Sequence, residues 1–300
     1  MLVRVLGTAA GGGVPQWNCA CPGCAAVRAN PARRRSHAAI AVHDSATGRW
    51  HLVNVTPDVT DQVEACEALR PEPGSRRTPL AGVILTDAEL DHTLGLFRLR
   101  EAEEISICAT AAVRAALTDG LGVQRILSPY ARIVLRELPD GDPVPLEEGG
   151  SLRVRAVPVS AKRPRYANAL PATGLWSVAL HITDGADGRS LLYAPAVAAW
   201  SSGLAAAVAQ ADHVIVDGTF WDDDEPVREG IGARTATEMG HLPISGPTGT
   251  AERLSALAAG RCAYTHLNNT NPLVDPAAPQ HKELAGLGLR VADDGEVIAP

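Results

Sequence analysis

The chain has 300 residues, 46% of them hydrophobic and 20% charged, enough for one large globular domain or two small ones with a substantial core. Lys and Arg number 27 against 34 Asp and Glu, a formal charge of -7, which removes the broad basic field that nucleic-acid binding needs. No apolar run approaches the roughly 18 residues that cross a bilayer, and the amino terminus does not resemble an export signal, so the expected setting is the cytoplasm, with no membrane span.

In chain order, Met1 to Gly7 reads as a strand entering a glycine turn. Ala39 to Val42 and Trp50 to Val55 flank Ser45-Ala46-Thr47-Gly48 as a hairpin. Leu80 to Leu85 and Ile105 to Cys108 read as buried strands, and Ile133 to Leu138 and Leu152 to Val159 as a further pair. A second hairpin follows from Trp176 to Ile182 and Leu191 to Ala194. Then come a helix over Leu204 to Gln210, a strand at Val214 to Val216, a helix over Ala251 to Ala258 and a strand from Cys262 to Leu267. There is no repeat or linker, so one domain over 1–300 is the simplest organisation. Each half holds several strands and at least one helix, which fits two packed sheets with helices outside, an α/β arrangement of four layers.

Two stretches concentrate chemistry. Of six cysteines, Cys19, Cys21 and Cys24 crowd into the loop at 17–24, while Cys66, Cys108 and Cys262 stand singly among apolar residues and read as buried small hydrophobes. Three thiolates so close repel unless a cation is present, which predicts structural zinc with a fourth ligand. The second stretch, Leu85-Thr86-Asp87-Ala88-Glu89-Leu90-Asp91-His92-Thr93-Leu94-Gly95, follows a strand and leads into Leu96 to Arg100, so its acidic and imidazole groups are expected in a strand-to-helix loop. A solvated acidic turn is the plain alternative. The adjacent Asp91-His92 pair argues instead for a hard and a borderline donor held together.

This segment resembles the metallo-β-lactamase signature T-H-x-H-x-D-H-x-x-G. Thr86, Asp91, His92 and Gly95 match, and Asp87 and Glu89 stand where the two leading histidines belong. Further stretches are similar to the pyrroloquinoline quinone (PQQ) biosynthesis protein B family. They run from Gly7 to Cys19, including Gly11-Gly12-Gly13-Val14-Pro15-Gln16-Trp17-Asn18, through Asp217-Gly218-Thr219-Phe220-Trp221 and Met239-Gly240-His241-Leu242-Pro243, to His266-Leu267-Asn268-Asn269-Thr270-Asn271-Pro272. The chain departs from the family at His37-Ala38-Ala39, where a Gln-Ser-Ser run is usual, and over Lys162 to Ala172.

The resemblance implies a four-layer αββα sandwich of the metallo-β-lactamase type. It also implies a lopsided metal site: the first-metal positions hold Asp87, Glu89 and Ser160, and Pro195 stands where a bridging aspartate belongs. The second set survives as Asp91, His92 and His266, two imidazoles and a carboxylate that suit mononuclear Fe(II). Asp217 and His241 are expected to orient water, peroxide or substrate, or to serve as a further ligand. For the cysteine zinc, related phosphodiesterases take a fourth ligand three places after the last active-site histidine, which here is Asn269; His37 and water are the other candidates. The glycine run lacks a P-loop lysine and reads as a close-approach turn beneath the site, and Arg33-Arg34-Arg35 as a solvated face.

The activity implied is hydroxylation, with dioxygen as co-substrate, of the tyrosine ring in a Glu-Tyr-derived precursor during PQQ biosynthesis. The partners implied are that small molecule and other proteins of the pathway. A metal-dependent hydrolase or phosphodiesterase and a non-catalytic carrier moving PQQ or its precursor toward the periplasm are the alternatives.

Overall fold

The computed structural model of the chain describes residues 1–171 and 173–300. The first sheet takes β1 (Leu2–Gly7), β2 (Ala39–Asp44), β3 (Arg49–Val53), β4 (Leu80–Ile84), β5 (Glu104–Ala109) and β6 (Arg132–Glu137) in that spatial order. The second takes β7 (Val144–Pro145), β8 (Leu152–Ser160), β9 (Ser177–Asp184), β10 (Ser190–Ala194), β11 (His213–Asp217), β12 (Cys262–Thr265) and β13 (Leu289–Val291), and β14 (Val297–Ile298) returns to pair with β1. Each sheet is antiparallel over its hairpins and parallel from β3 to β6 and from β10 to β13. The parallel strands read as nearly continuous apolar runs because both of their faces are covered.

Period-2 alternation divides the side chains. Val3, Val5, Ile40, Val42 and Val53 of the first sheet meet Leu180, Ile182, Tyr193, Ile215 and Ala263 of the second in the space between them. On the outer face of the second sheet, Val214 and Val216 pack with Leu204, Val208 and Leu254 from helices Ser202–Gln210 and Ala251–Ala258. Leu52, Val83 and Ile107 pack outward on the other side with Val59, Val113 and Leu117. The result is the expected four-layer αββα sandwich. Among the described residues no helix is long and apolar enough to cross a membrane.

Four local features differ from the sequence expectation. The last strand stops at Thr265 because His266 takes φ 60, a left-handed conformation that leaves the ladder and is costly for a residue with a Cβ. Asp91 and His92 do not lie in a loop: they occupy a helical turn, Leu90–Thr93, with Asp91 favourably placed in its first turn, and a 3₁₀ segment, Leu94–Leu99, continues it. Gly95 is needed there, since a Cβ would meet the Thr56 carbonyl oxygen at 2.1 Å. Arg35 does not join a solvated face. Its guanidinium donates to Thr8 Oγ1 at 2.8 Å and the Ala292 carbonyl at 2.9 Å, and its side chain is 12% exposed, against 42% for Arg33. Finally, Cys108 and Cys262 are buried as expected, whereas Cys66 is only half-buried.

Candidate metal centre

The loops after β4, β8, β10, β11 and β12 converge on a cleft of about 190 Å³. Asp87, Glu89, Asp91, His92, Ser160, His241 and His266 line it, together with Thr219, Phe220, Met239 and Lys162. Asp217 is the one predicted residue that lies beneath the wall, 1% exposed. Of the divergent Lys162–Ala172 stretch, Lys162 and Pro164 line the cleft, and Ala172 lies outside the described residues.

Asp91, His92 and His266 offer donor atoms within 4.8 Å of one another. Asp91 Oδ2 lies 3.4 Å from His266 Nε2 and 3.7 Å from His92 Nε2. His92 is 1% exposed, and its Nε2 is buried with no hydrogen-bond partner. Its other nitrogen, Nδ1, sits 2.9 and 2.8 Å from the two oxygens of Asp87. A carboxylate behind an imidazole in this way fixes the ring and raises its basicity toward a metal. Burial opposes charge on His92, but Asp87 and Asp91 outweigh it and push its pKa up to about 9. Burial likewise acts to raise Asp91, yet His92 and His266 hold it well below the ordinary carboxylate range. His266 is pulled below its usual value, chiefly by burial. Gly11 lets the amino-terminal turn approach this carboxylate, since a Cβ there would stand 3.1 Å from Asp91 Oδ2.

The donors fit a cation. A buried nitrogen without a partner normally costs free energy, and an ion between the three residues would satisfy it. Two imidazoles and one carboxylate suit zinc or ferrous ion, with positions left open.

The neighbouring half of the cleft is different. Asp87 spends its oxygens on His92, on the Thr86 hydroxyl at 2.7 Å and on the Glu89 N–H at 2.9 Å. Glu89 faces Lys162 Nζ at 3.6 Å, and burial, reinforced by Asp87 and Asp91, keeps its carboxyl pKa raised despite that ammonium. Ser160 Oγ accepts the Lys162 N–H at 3.0 Å. Among the described residues, neither Asp87 nor Glu89 joins any group of His, Cys, Asp and Glu able to enclose an ion.

Asp217, His241 and His266 form a second close group, centred on a residue to which the sequence reading gave no role. Thr219 Oγ1 donates to Asp217 Oδ1 at 2.6 Å and lies 3.0 Å from His241 Nδ1 and 2.8 Å from His266 Nδ1. Asp217 Oδ2 is 2.8 Å from His241 Nδ1 and accepts the Val197 N–H at 2.8 Å. Burial acts to raise the Asp217 pKa, but His241 and the other contacts hold it low. The two rings stack, 5.6 Å apart at 21°. The Asp-Gly-Thr run directly after a buried strand was the available signal for Thr219.

At the amino terminus, Cys19, Cys21 and Cys24 bring their sulfurs within 4.8 Å of one another. Main-chain N–H groups of Cys21, Cys24 and Gln16 donate to the three sulfurs at 3.3 to 3.4 Å. Burial raises the thiol pKa of Cys21, but these contacts and Asn269 bring it below its usual value, while burial pushes Cys24 up to about 11. Asn269 Nδ2 lies 3.2 and 3.3 Å from the sulfurs of Cys19 and Cys21. His37 is not a fourth ligand here, because Asp58 at 2.6 Å and the Gly11 carbonyl at 3.2 Å occupy its two ring nitrogens.

Two facing sheets with a three-donor cleft at their strand ends define a protein of metallo-β-lactamase type, and the Beta-lactamase superfamily domain matches residues 49–267. Coenzyme PQQ synthesis protein B of Azoarcus sp. (strain BH72) is 40% identical over 308 residues, covering 100% of both chains. Its counterpart from Cupriavidus necator is 41% identical over 303 residues, covering 99% of each. The crystal structure of Zn(2+)-bound PqqB from Methylobacterium extorquens superposes with a TM-score of 0.89 at 31% identity over 100% of both chains. A diphosphatase from the PhnP family, at 17% identity and a TM-score of 0.69 over 99% of this chain and 96% of its own, shares the fold. The chain belongs to the coenzyme PQQ synthesis protein B family.

Proposed function

We propose that the protein acts in PQQ biosynthesis as an Fe(II)- and dioxygen-dependent hydroxylase of the tyrosine ring in a Glu-Tyr-derived precursor, in which one oxygen atom replaces a ring hydrogen as hydroxyl and the other leaves as water with two electrons and two protons from an external reductant. The observation that carries this proposal is the pairing of a bare, buried His92 Nε2 beside Asp91 and His266 with an Asp87 already committed to His92. Asp91, His92 and His266 would hold the ion, which when bound supplies the binding and activation of dioxygen. A two-metal hydrolase clamps attacking and leaving oxygens between paired ions, and the Asp87 side of this cleft offers no second cradle.

The chain's own residues supply orientation and proton handling. Asp87 fixes the His92 ring and Thr219 fixes His266, so that each Nε2 faces Asp91. His241 has Nδ1 held by Asp217 and Thr219, which leaves Nε2 to exchange a proton with a phenol in the cleft. Phe220 and Met239 provide apolar wall for the ring, and Lys162 provides an ammonium for a carboxylate of the precursor. Glu89 and Ser160 hold Lys162 at the wall. The thiolates of Cys19, Cys21 and Cys24, with Asn269 beside them, form a structural zinc site, in keeping with the zinc-bound relative.

The test is dioxygen consumption coupled to mass analysis of the tyrosyl product, with iron-loaded wild type and His266→Ala compared. Uptake with addition of oxygen to the ring is expected for the wild type alone. Equal turnover by both proteins removes His266 from the mechanism. Tight product binding without uptake favours the carrier, and cleavage by a chain holding two ions in the cleft favours the hydrolase.

A further inference from the structure

We propose a separate cation site, formed by Asp44, His51 and Glu147, that takes a borderline divalent ion such as Zn²⁺ and ties the two sheets together. It lies at the β2–β3 turn, the opposite end of this hairpin from the Asn54–Thr86 contact that leads into the cleft.

His51 alternates with the outward-packed Leu52, and Val53 beside it faces the second sheet, so its imidazole enters the space between the sheets. It is 3% exposed, and Nε2 is buried without a hydrogen-bond partner. The nearest carboxylate oxygen, Glu147 Oε1, is 3.6 Å away, too far to satisfy it. Asp44, fully buried, completes the group, and the three residues offer donors within 4.8 Å of one another. Asp44 and His51 come from the first sheet, whereas Glu147 comes from the turn between β7 and β8.

The charges favour a cation. Burial acts to raise the Asp44 pKa, but N–H donors from Ser151, Leu152 and Ala46 hold it below the usual carboxylate range. Glu147 accepts the Thr47 hydroxyl at 2.5 Å and meets Arg49 at 3.3 Å. Arg49 and Arg136 stand against Asp44, Glu104, Glu147 and Glu148 around this group, which leaves a net negative charge beside a bare imidazole nitrogen. Burial keeps His51 below its ordinary pKa in spite of both carboxylates. An imidazole with two carboxylates selects a borderline ion over magnesium or calcium, which prefer all-oxygen sets. A cavity of about 240 Å³ lined by His51 and Glu147, together with Arg49, Arg136, Glu104 and Glu148, adjoins the group.

The experiment is diffraction at the zinc absorption edge from crystals of the full chain grown with ZnCl₂. An anomalous peak between Asp44, His51 and Glu147 is expected, and its absence while the thiolates are filled overturns the proposal. In solution, Glu147→Gln, which keeps the side-chain volume, and His51→Asn are each expected to bind one Zn²⁺ fewer than the wild type in equilibrium dialysis. They should also lose part of the zinc-dependent rise in Tm. A folded Glu147→Gln chain with the wild-type zinc count overturns the assignment.

Discussion

The two groups that share His266 contain the same residue types and behave as opposites. On the Nδ1 side, Asp217, His241 and His266 satisfy one another through the Thr219 hydroxyl, every contact at 3.0 Å or less. On the Nε2 side, the closest approach is 3.4 Å and His92 Nε2 has no partner at all. The two groups therefore differ in hydrogen bonding: the first is satisfied internally, and the second leaves a buried imidazole nitrogen open toward a carboxylate. Thr219 settles which side is which, because it orders the rear nitrogen of His266 and turns the other toward Asp91.

That contrast can be broken by removing the support behind His92. Asp87→Asn is expected to weaken iron binding by about 10- to 100-fold while leaving the Thr219 network intact, measured by titration of the metal-stripped chain. Unchanged affinity would mean that Asp87 does not orient the ring. A smaller effect comes from protons. With the His92 pKa pushed up to about 9 in the metal-free chain, an incoming ion displaces a proton below that pH. Apparent affinity should then rise by up to about tenfold per pH unit toward pH 9 and level off above it. Calorimetry in buffers of different ionisation enthalpy reads the proton release, and binding without release would contradict the assignment of His92.

Much of the fold was legible because its strands carry β-branched runs bounded by turns: Leu152 to Val159, Trp176 to Ile182 and Val214 to Val216 each fall on an observed strand to within a residue or two. The short β7, β13 and β14 were not, since two or three residues carry no period. In the site, adjacency made Asp91 and His92 conspicuous, and the family resemblance brought in His266 across the intervening 173 positions. The work of Thr219 was hidden, because a hydroxyl acquires a role only when folding brings two histidines to it. Arg35 was misjudged for a related reason: a run of like charges suggests solvent, yet its acceptors, Thr8 and Ala292, are remote in sequence. The meeting of Asp44 and His51 with Glu147 is equally a product of sheet packing.

The proposed function requires one ion in the cleft, held by Asp91, His92 and His266. Element-resolved anomalous scattering from anaerobically iron-loaded, zinc-supplemented crystals locates it. Iron between those three residues, a zinc at Cys19, Cys21 and Cys24, and no metal beside Asp87 and Glu89 is the predicted result. A second ion on the Asp87 side, or an iron peak centred on Asp217 and His241 instead, would contradict it.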